Sequence, residues 1–501
     1  MNFTYFIFFI VIVIGTLVIT HWAAERSRTA HQFYVAAGSL SGMQNGMAIA
    51  GDFISAASFL GITGLIALYG YDGFLYATGF LISYVILLLL IVEPIHRLGT
   101  YSVADVVAAR FPGNRMRAAV AISGICISVL YMIPQLVASG LLIRLLLGVD
   151  FRVAVSIIGV LMTVYVAFGG MLATSWVQII KTVLLMCGTL LVVLILLSWL
   201  NWDFFGLITD AVEQSPHRES FFYPGNLFTN SIEKISLTLT LMLGTSGLPH
   251  ILIRFLTVKN AKQARISAMS ASWIIGLFYI MTLILGVGTI ALVGSETLIQ
   301  ADSSGNLAAL LLADALGGDF LIAFVMAVAF ATIIAVVTGL IFAATSSFAH
   351  DIYYHLWKNK KVEEKKQLQV ARIVAVVIGI LSILLSIGME ESNVAFLVSI
   401  TFAIAASTLF PLLILTFYWK RFNRVGCYTT LLCGFLTSII LVVLGPEGSG
   451  ILPLSNPGIL SIPAGFAGGV IGAMAGKKDE KSYEDLFLKL YSDKQEAASH
   501  D

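Results

Sequence analysis

The segment from Gly46 to Gly64, Gly-Met-Ala-Ile-Ala-Gly-Asp-Phe-Ile-Ser-Ala-Ala-Ser-Phe-Leu-Gly-Ile-Thr-Gly, holds the residues best suited to chemistry. It carries one carboxylate, Asp52, the hydroxyls of Ser55, Ser58 and Thr63, and Gly46, Gly51, Gly61 and Gly64. The stretch is long enough to span a bilayer. Glycine, hydroxyl and charge at mid-membrane depth point to a broken helix lining a cavity, because backbone groups freed in lipid need a polar partner. A second such interruption, Leu243-Gly-Thr-Ser-Gly-Leu-Pro-His250, lies in the apolar run 232–254. There Pro249 lacks a backbone donor and the glycines loosen the chain. A broken helix presents unpaired N–H groups at one half and unpaired carbonyls at the other. Carbonyls suit a hard cation such as Na⁺, and N–H groups suit a carboxylate. Two breaks together suit co-binding of a cation and a small anion with no buried lysine or arginine, and none is expected in the central spans.

Each polar residue near the breaks also has a structural reading. Asp52 either binds or senses the cation, or takes up a proton, or else caps N–H groups freed at the break. His250 lines an inner pathway or bonds a neighbouring helix. Arg254 is read as an interfacial anchor or a member of an inner-gate ion pair, not as a ligand. Gln135, near the kinking Pro134 and Tyr131, is a pathway or a packing residue. Thr332, Thr338, Thr345, Ser346 and Ser347 lie in an alanine-rich run where small and hydroxyl residues usually serve close helix packing. Cys126, Cys187, Cys427 and Cys433 fall in apolar runs without metal-ligand spacing and are read as packing residues.

The elements that must position these residues are membrane spans. Of the 501 residues, 58% are hydrophobic and only 11% charged, with mean hydropathy +0.93. Soluble domains carry roughly 25% charged residues. Apolar runs predict an all-α polytopic membrane protein with about thirteen helices: 3–21, 43–69, 74–93, 118–146, 152–169, 176–200, 232–254, 268–293, 321–349, 370–388, 393–418, 426–444 and 460–476. The first is read as a retained helix, since it lacks a basic n-region and a cleavage site. With the N-terminus outside and the C-terminus inside, every Lys and Arg except Arg144, Arg152, Arg218 and Lys234 falls on the inner side, Lys181 included. External loops are expected at 201–231 and 294–320, the latter with a short helix over 307–316. An inner amphipathic helix is expected near 101–110, with Ser102 as its N-cap.

Setting the first span aside leaves two groups of five that both open with an interrupted helix. An odd group must enter the second copy reversed, which predicts an inverted-topology repeat. The expected organisation is 1–42 an extra helix and inner loop, 43–200 the first repeat, 201–231 an external loop, 232–418 the second repeat, 419–476 two further helices and 477–501 a cytoplasmic tail.

From about residue 33 to 420 the chain resembles the solute:sodium symporter family. The resemblance is carried by Ala50-Gly-Asp-Phe-Ile-Ser-Ala-Ala-Ser-Phe-Leu-Gly61, Gly70-Tyr-Asp-Gly73, Gly247-Leu-Pro-His-Ile-Leu-Ile-Arg-Phe255 and Ser346-Ser-Phe-Ala-His-Asp-Ile-Tyr353. The first of these looks most like the cation/acetate symporters, the third like the sodium/proline permeases. The resemblance implies a LeuT-type ten-helix core with alternating access. It also implies a sodium site made by the carbonyls of Gly51 and Ile54 and by a later helix. There the carbonyl position falls on Thr332 and the paired hydroxyl positions on Ala335 and Val336. Neither Ala335 nor Val336 offers a side-chain oxygen, with Thr338 nearby, so Na⁺ coupling, H⁺ coupling or a site rebuilt with Asp52 or Ser55 stay open.

Substrate is expected between the breaks, near Ser55, Ser58, Phe59, Gln135, Thr245 and Ser246. Few bulky polar groups favour a short monocarboxylate (acetate, propionate or pyruvate) over a sugar. The expected activity is secondary active symport in the cytoplasmic membrane, with proline or another small solute as an alternative and a transporter-like membrane sensor as a reading from another class. A membrane enzyme would need clustered His, Asp or Glu at a membrane face, and the eight histidines are scattered. No enzyme activity, cofactor or nucleic-acid partner is expected.

Overall fold

The computed structural model describes residues 34–490 except 169, 229, 447 and 479–481, together with residues 7, 10, 11, 14, 15 and 18. Most of the first expected span and the end of the tail lie outside the described residues. In chain order the elements are α1 (Gly42–Phe53), α2 (Ala57–Tyr69), α3 (Tyr71–Leu98), α4 (Val103–Arg110), α5 (Asn114–Leu147), α6 (Phe151–Phe168), α7 (Met171–Trp199) and α8 (Phe204–Gln214). They continue as α9 (Ser231–Gly247), α10 (Pro249–Leu256), α11 (Ala261–Val293), α12 (Ala308–Trp357), α13 (Lys365–Met389), α14 (Val394–Tyr418), α15 (Arg424–Leu444) and α16 (Gly458–Ala475). Among the described residues, nine continuous helices are long and apolar enough to cross a membrane, and two bent pairs, α1–α2 and α9–α10, pass the same test together.

Local chemistry explains both bends. The α1 helix starts on a reciprocal cap: Gln44 N–H donates to Ser41 Oγ (3.3 Å) and Ser41 N–H to Gln44 Oε1 (3.0 Å). It stops at Phe53 because Ile54 is extended (φ −72°, ψ 98°). The chain resumes with a wide π-type turn over Ala57–Gly61, and the two halves meet at 64°. In the second pair Leu248 is extended, as a residue before proline prefers. Pro249 then opens α10, where its missing donor costs nothing. That bend is 48°.

Other expected local features are present. Ser102 Oγ accepts from Asp105 N–H (3.2 Å) and opens α4. The helical stretch expected over 307–316 forms the start of α12, set off from the rest by a kink at Gly318 (φ 56°). The external segment contains α8 and a 3₁₀ turn, Arg218–Phe222. Asp72 clamps that segment by accepting N–H bonds from Gly225 (3.0 Å), Leu227 (2.9 Å) and Phe228 (3.0 Å). Its neighbour Gly70 sits at φ +56° with the Phe221 carbonyl where a Cβ would be, so only glycine fits. The motif Gly70-Tyr-Asp-Gly73 therefore does loop-fastening work.

Reciprocal packing holds the bent pairs at the centre. Helix α1 lies against α11 and α7, while α9 lies against α3 and α14. The first helix of each five-helix group thus packs on the second helix of the other. Small residues make the approach close: Gly51 faces the Gln178 carbonyl, and Gly247 faces the Ala405 carbonyl. At Gly64 an added Cβ would overlap the Gly305 carbonyl, a backbone atom with little freedom to retreat. Gly64→Ala is expected to destabilise the protein by about 1–3 kcal/mol through overpacking, read as a lowered midpoint of thermal unfolding in detergent. An unchanged midpoint would show that the external segment around Gly305 yields.

Candidate functional site

The two breaks meet in the interior, and their freed backbone groups are met by side chains. Gln135 of α5 accepts from Ala56 N–H at 3.2 Å, while its own Nε2 has no partner. Ser55 Oγ accepts from Ala57 N–H at 3.2 Å, and the Tyr131 hydroxyl bonds Ser55. Ser58 Oγ and the Tyr279 hydroxyl are 3.1 Å apart. Between them lies a cavity of about 30 Å³, lined by Phe53, Ala57, Ser58, Ile62, Tyr76, Phe80, Tyr131, Leu241, Tyr279, Ala395, Val398 and Phe402. Liquid water takes about 30 Å³ per molecule, so the site is nearly closed in this conformation. Its lining is aromatic and hydroxylic, with no charged side chain.

Asp52 is fully buried and does not cap the break. One carboxylate oxygen accepts from Gln178 Nε2 (2.5 Å) and the other from Arg254 Nε (2.5 Å). Arg254 also donates to Ser175 Oγ at 2.6 Å, and Gln178 Nε2 donates to the Ala335 carbonyl at 2.8 Å. This network joins α1, α7, α10 and α12.

The expectation of central spans without buried basic residues is overturned. Arg254 and Lys181 are each only 2% exposed. Lys181, assigned to the inner surface by loop-charge counting, instead sends its ammonium to the break. It donates to the carbonyl oxygens of Gly51 and of Ile54, the latter at 2.5 Å. These are the two carbonyls expected to hold the coupling cation. Sequence reasoning missed Lys181, although a lysine inside an apolar run was itself a signal.

The remaining candidates are distributed as follows. On α12, Thr332 and Thr338 bond back to their own helix, to the carbonyls of Val328 (2.9 Å) and Ile334 (2.6 Å), while Ala335 offers its carbonyl to Gln178. An added Cβ at Gly339 would lie 2.7 Å from Asp52 Oδ1, which places α12 beside that carboxylate. Phe59 packs on Phe278 with ring centroids 6.3 Å apart, and Thr245 bonds the Leu241 carbonyl at 3.5 Å. The Ser246 hydroxyl and both His250 nitrogens are buried without hydrogen-bond partners, and the His250 ring lies tilted against Tyr131 with centroids 5.2 Å apart. Of the six substrate candidates only Ser58 lines the cavity, which Tyr131 and Tyr279 share. A larger groove, about 1040 Å³, lies among α1, α3, α7 and α11. Its walls are almost wholly hydrocarbon, with a few hydroxyl residues such as Thr78 and Ser272 among them.

A separate cluster joins α4, α5 and the end of α12. Arg117 pairs with Asp105 and lies 3.4 Å from Asp351, His350 Nε2 is 3.5 Å from Asp105, and Ser102 Oγ donates to Asp351 at 3.1 Å. Burial would raise the Asp105 carboxyl, but the His350 hydrogen bond and charge and the Arg117 guanidinium hold it well below the usual carboxylate range. Asp105, His350 and Asp351 are close enough to hold a metal, yet the Arg117 guanidinium already lies against both carboxylates.

The chain aligns with the sodium:solute symporter family model over residues 33–434. It belongs to the sodium:solute symporter family. It is 51% identical over 501 residues to an uncharacterised symporter, YwcA, of Bacillus subtilis (strain 168), covering 98% of both chains. Its fold is similar to that of a Na⁺-coupled sialic acid symporter in a substrate-bound outward-open state, with TM-score 0.76, 18% identity and coverage of 95% of this chain and 99% of that one. It is also similar to Mhp1, a nucleobase-cation-symport-1 family transporter, in a closed conformation with bromovinylhydantoin bound, with TM-score 0.55, 14% identity and coverage of 91% and 99%. The chain is therefore a multi-pass membrane symporter with a LeuT-type fold, and not an enzyme. Membership of this symporter family implies a small solute and a coupling cation, with Na⁺ the ion of the family at large.

Proposed function

We propose that this symporter takes up a short monocarboxylate such as acetate, propionate or pyruvate, driven by a cation gradient through alternating access, with its N-terminus outside and its C-terminus inside. The carrying observation is the cavity between the breaks: about 30 Å³, walled by aromatic rings, with Ser58, Tyr131 and Tyr279 supplying hydroxyls. Modest opening would admit the four to six heavy atoms of these acids, whereas a sugar would need many more polar partners. The charge balance points the same way. Asp52 is the single acid beside the break, and Arg254 and Lys181 are two bases, so the protonated site is net positive and favours an anion. Residues 43–200 and 232–418 serve as the inverted repeats, a reading supported by their reciprocal packing.

The test is uptake of labelled acetate, propionate and pyruvate into proteoliposomes under imposed cation gradients, with labelled proline in parallel. Accumulation of at least one of the acids and competition among them are expected. Transport of proline with none of the acids would sink the monocarboxylate reading, and absence of transport with every solute would favour a sensing role.

A further inference from the structure

The coupling cation of a broken-helix site works by neutralising the carbonyl end of the break and fixing the two halves of the helix. In this chain a side chain already does that. Lys181 extends from α7 into the interior and donates to both the Gly51 and the Ile54 carbonyl oxygens. The helix partners that would complete a sodium shell are absent from their expected places. Ala335 and Val336 have no side-chain oxygen, the Ala335 carbonyl is taken by Gln178, and the hydroxyls of Thr332 and Thr338 are spent on their own helix. A bare ion would find two carbonyls, both in use, where a hard cation wants six or so oxygens.

We propose that the Lys181 ammonium is a tethered cation standing where sodium would bind, and that the ion driving this site is a proton carried on Lys181. The inference deepens the symporter reading above and rests on it. The chemistry is a simple transfer. From the side facing the higher proton activity the amine gains H⁺ and becomes an ammonium, which holds the break closed. On the other side the ammonium gives that H⁺ to water, and the neutral amine holds two carbonyls far less firmly.

Coupling to an anion follows from the charges around the site. The groups that face Lys181 and its surroundings are Asp52 on α1, which acts on it directly, and Arg254 on α10, which is paired to Asp52. Tyr84 on α3, Tyr131 on α5 and Tyr279 on α11 are hydroxyl groups around Asp52 and the cavity. The acid of Asp52 already balances Arg254. The proton on Lys181 is then the charge in excess, and it favours a carboxylate in the adjoining cavity. Release of either one weakens the hold on the other, which is what symport requires.

The experiment uses the reconstituted full chain. Wild-type uptake of whichever labelled acid it transports is compared under an inward proton gradient without sodium and an inward sodium gradient without a pH difference. Proton-driven accumulation without sodium is expected. Lys181→Met, which carries no proton, and Lys181→Arg, which never releases one, should each lose accumulation by roughly 5- to 150-fold, the range of an ordinary coupling free energy. Lys181→Arg, which keeps the positive charge that favours the anion, should retain more exchange of labelled for unlabelled acid at equal pH than Lys181→Met, which loses it. Wild-type accumulation that needs sodium, or Lys181→Arg that still accumulates against a gradient, overturns the proposal. A second readout needs no substrate and so separates this inference from the monocarboxylate reading. The midpoint of thermal unfolding of the purified wild-type protein is titrated with NaCl against choline chloride at equal ionic strength. No sodium-specific rise is expected, and a saturable rise overturns the proposal whatever solute is carried.

Discussion

Arg254→Ala is expected to destabilise the protein by about 3–5 kcal/mol, the usual cost of stranding one partner of a buried ion pair. The guanidinium is 2% exposed and meets Asp52 at 2.5 Å and Ser175 at 2.6 Å. Removing it leaves the Asp52 carboxylate in the interior with Gln178 and the more distant charge of Lys181. It also cuts one link between α10 and α1, the two broken helices, and leaves the bond from Asn45 Nδ2 to the backbone carbonyl of residue 254. The result should be a sharply lowered midpoint of unfolding in detergent and reduced yield in the membrane. The double variant Asp52→Asn with Arg254→Gln removes both charges and keeps hydrogen-bonding groups. It should recover much of that stability, and because the two lost charges cancel, the Lys181 charge stays in excess as before. Asp52→Asn alone should impair coupled uptake far more than membrane insertion. If the double variant is as unstable as Arg254→Ala, the stability lies in the packing of the side chains and not in their charges.

Arg110→Ala is expected to cost about 4 kcal/mol or more, among the largest effects single substitutions produce. Arg110 is 1% exposed at the end of α4. Its guanidinium donates to the carbonyls of Leu415, Thr416, Trp419, Lys420 and Phe422, the last turn of α14 and the residues after it. The carbonyls of Leu415 and Trp419 also accept from Trp419 N–H and Phe422 N–H, while the others are carbonyls at and beyond a helix end that the helical ladder leaves open. The rings of Phe111 and Tyr483 each lie 4.9 Å from the guanidinium carbon, adding cation–π attraction. Alanine would leave several carbonyls unpaired in a buried setting. Lysine, with a compact ammonium in place of a planar fork, could reach only some of them. Arg110→Lys should therefore recover part of the loss, measured by the same unfolding midpoint. Full recovery by lysine would mean that charge alone caps α14.

Arg254 and Arg110 are both cations whose partners lie far away in the chain, and that distance separates what was readable from what was not. The breaks were readable. Gly51 and Asp52 in one apolar run, and Gly244, Gly247 and Pro249 in another, act on their own backbone. Local rules for glycine and proline therefore point to interruptions within 46–64 and 244–249 without knowledge of the fold, and the structure puts them at Ile54–Ala56 and Leu248. The Ser102 cap and the apolar helices among the described residues were readable for the same reason, since capping and hydropathy are properties of a few adjacent residues. The family segments added the expected carbonyls, Gly51 and Ile54.

Tertiary structure decided what meets those carbonyls. Lys181 lies ten residues into α7, roughly 15 Å from its start at the rise of an α-helix. Charge counting sees a lysine near a span end and assigns it to the inner surface. It cannot see that a long flexible stem points inward, nor that the carbonyls of Gly51 and Ile54, separated from it by 130 and 127 positions, wait at its tip. The pairing of Asp52 with Arg254, 202 positions apart, is of the same kind. By itself, then, the sequence determined that two membrane helices break and expose opposite ends of their backbone dipoles, because a break is local physics. Only the packed bundle decided which cation fills the first break, because that depends on which distant side chain the packing of α7 against α1 delivers there.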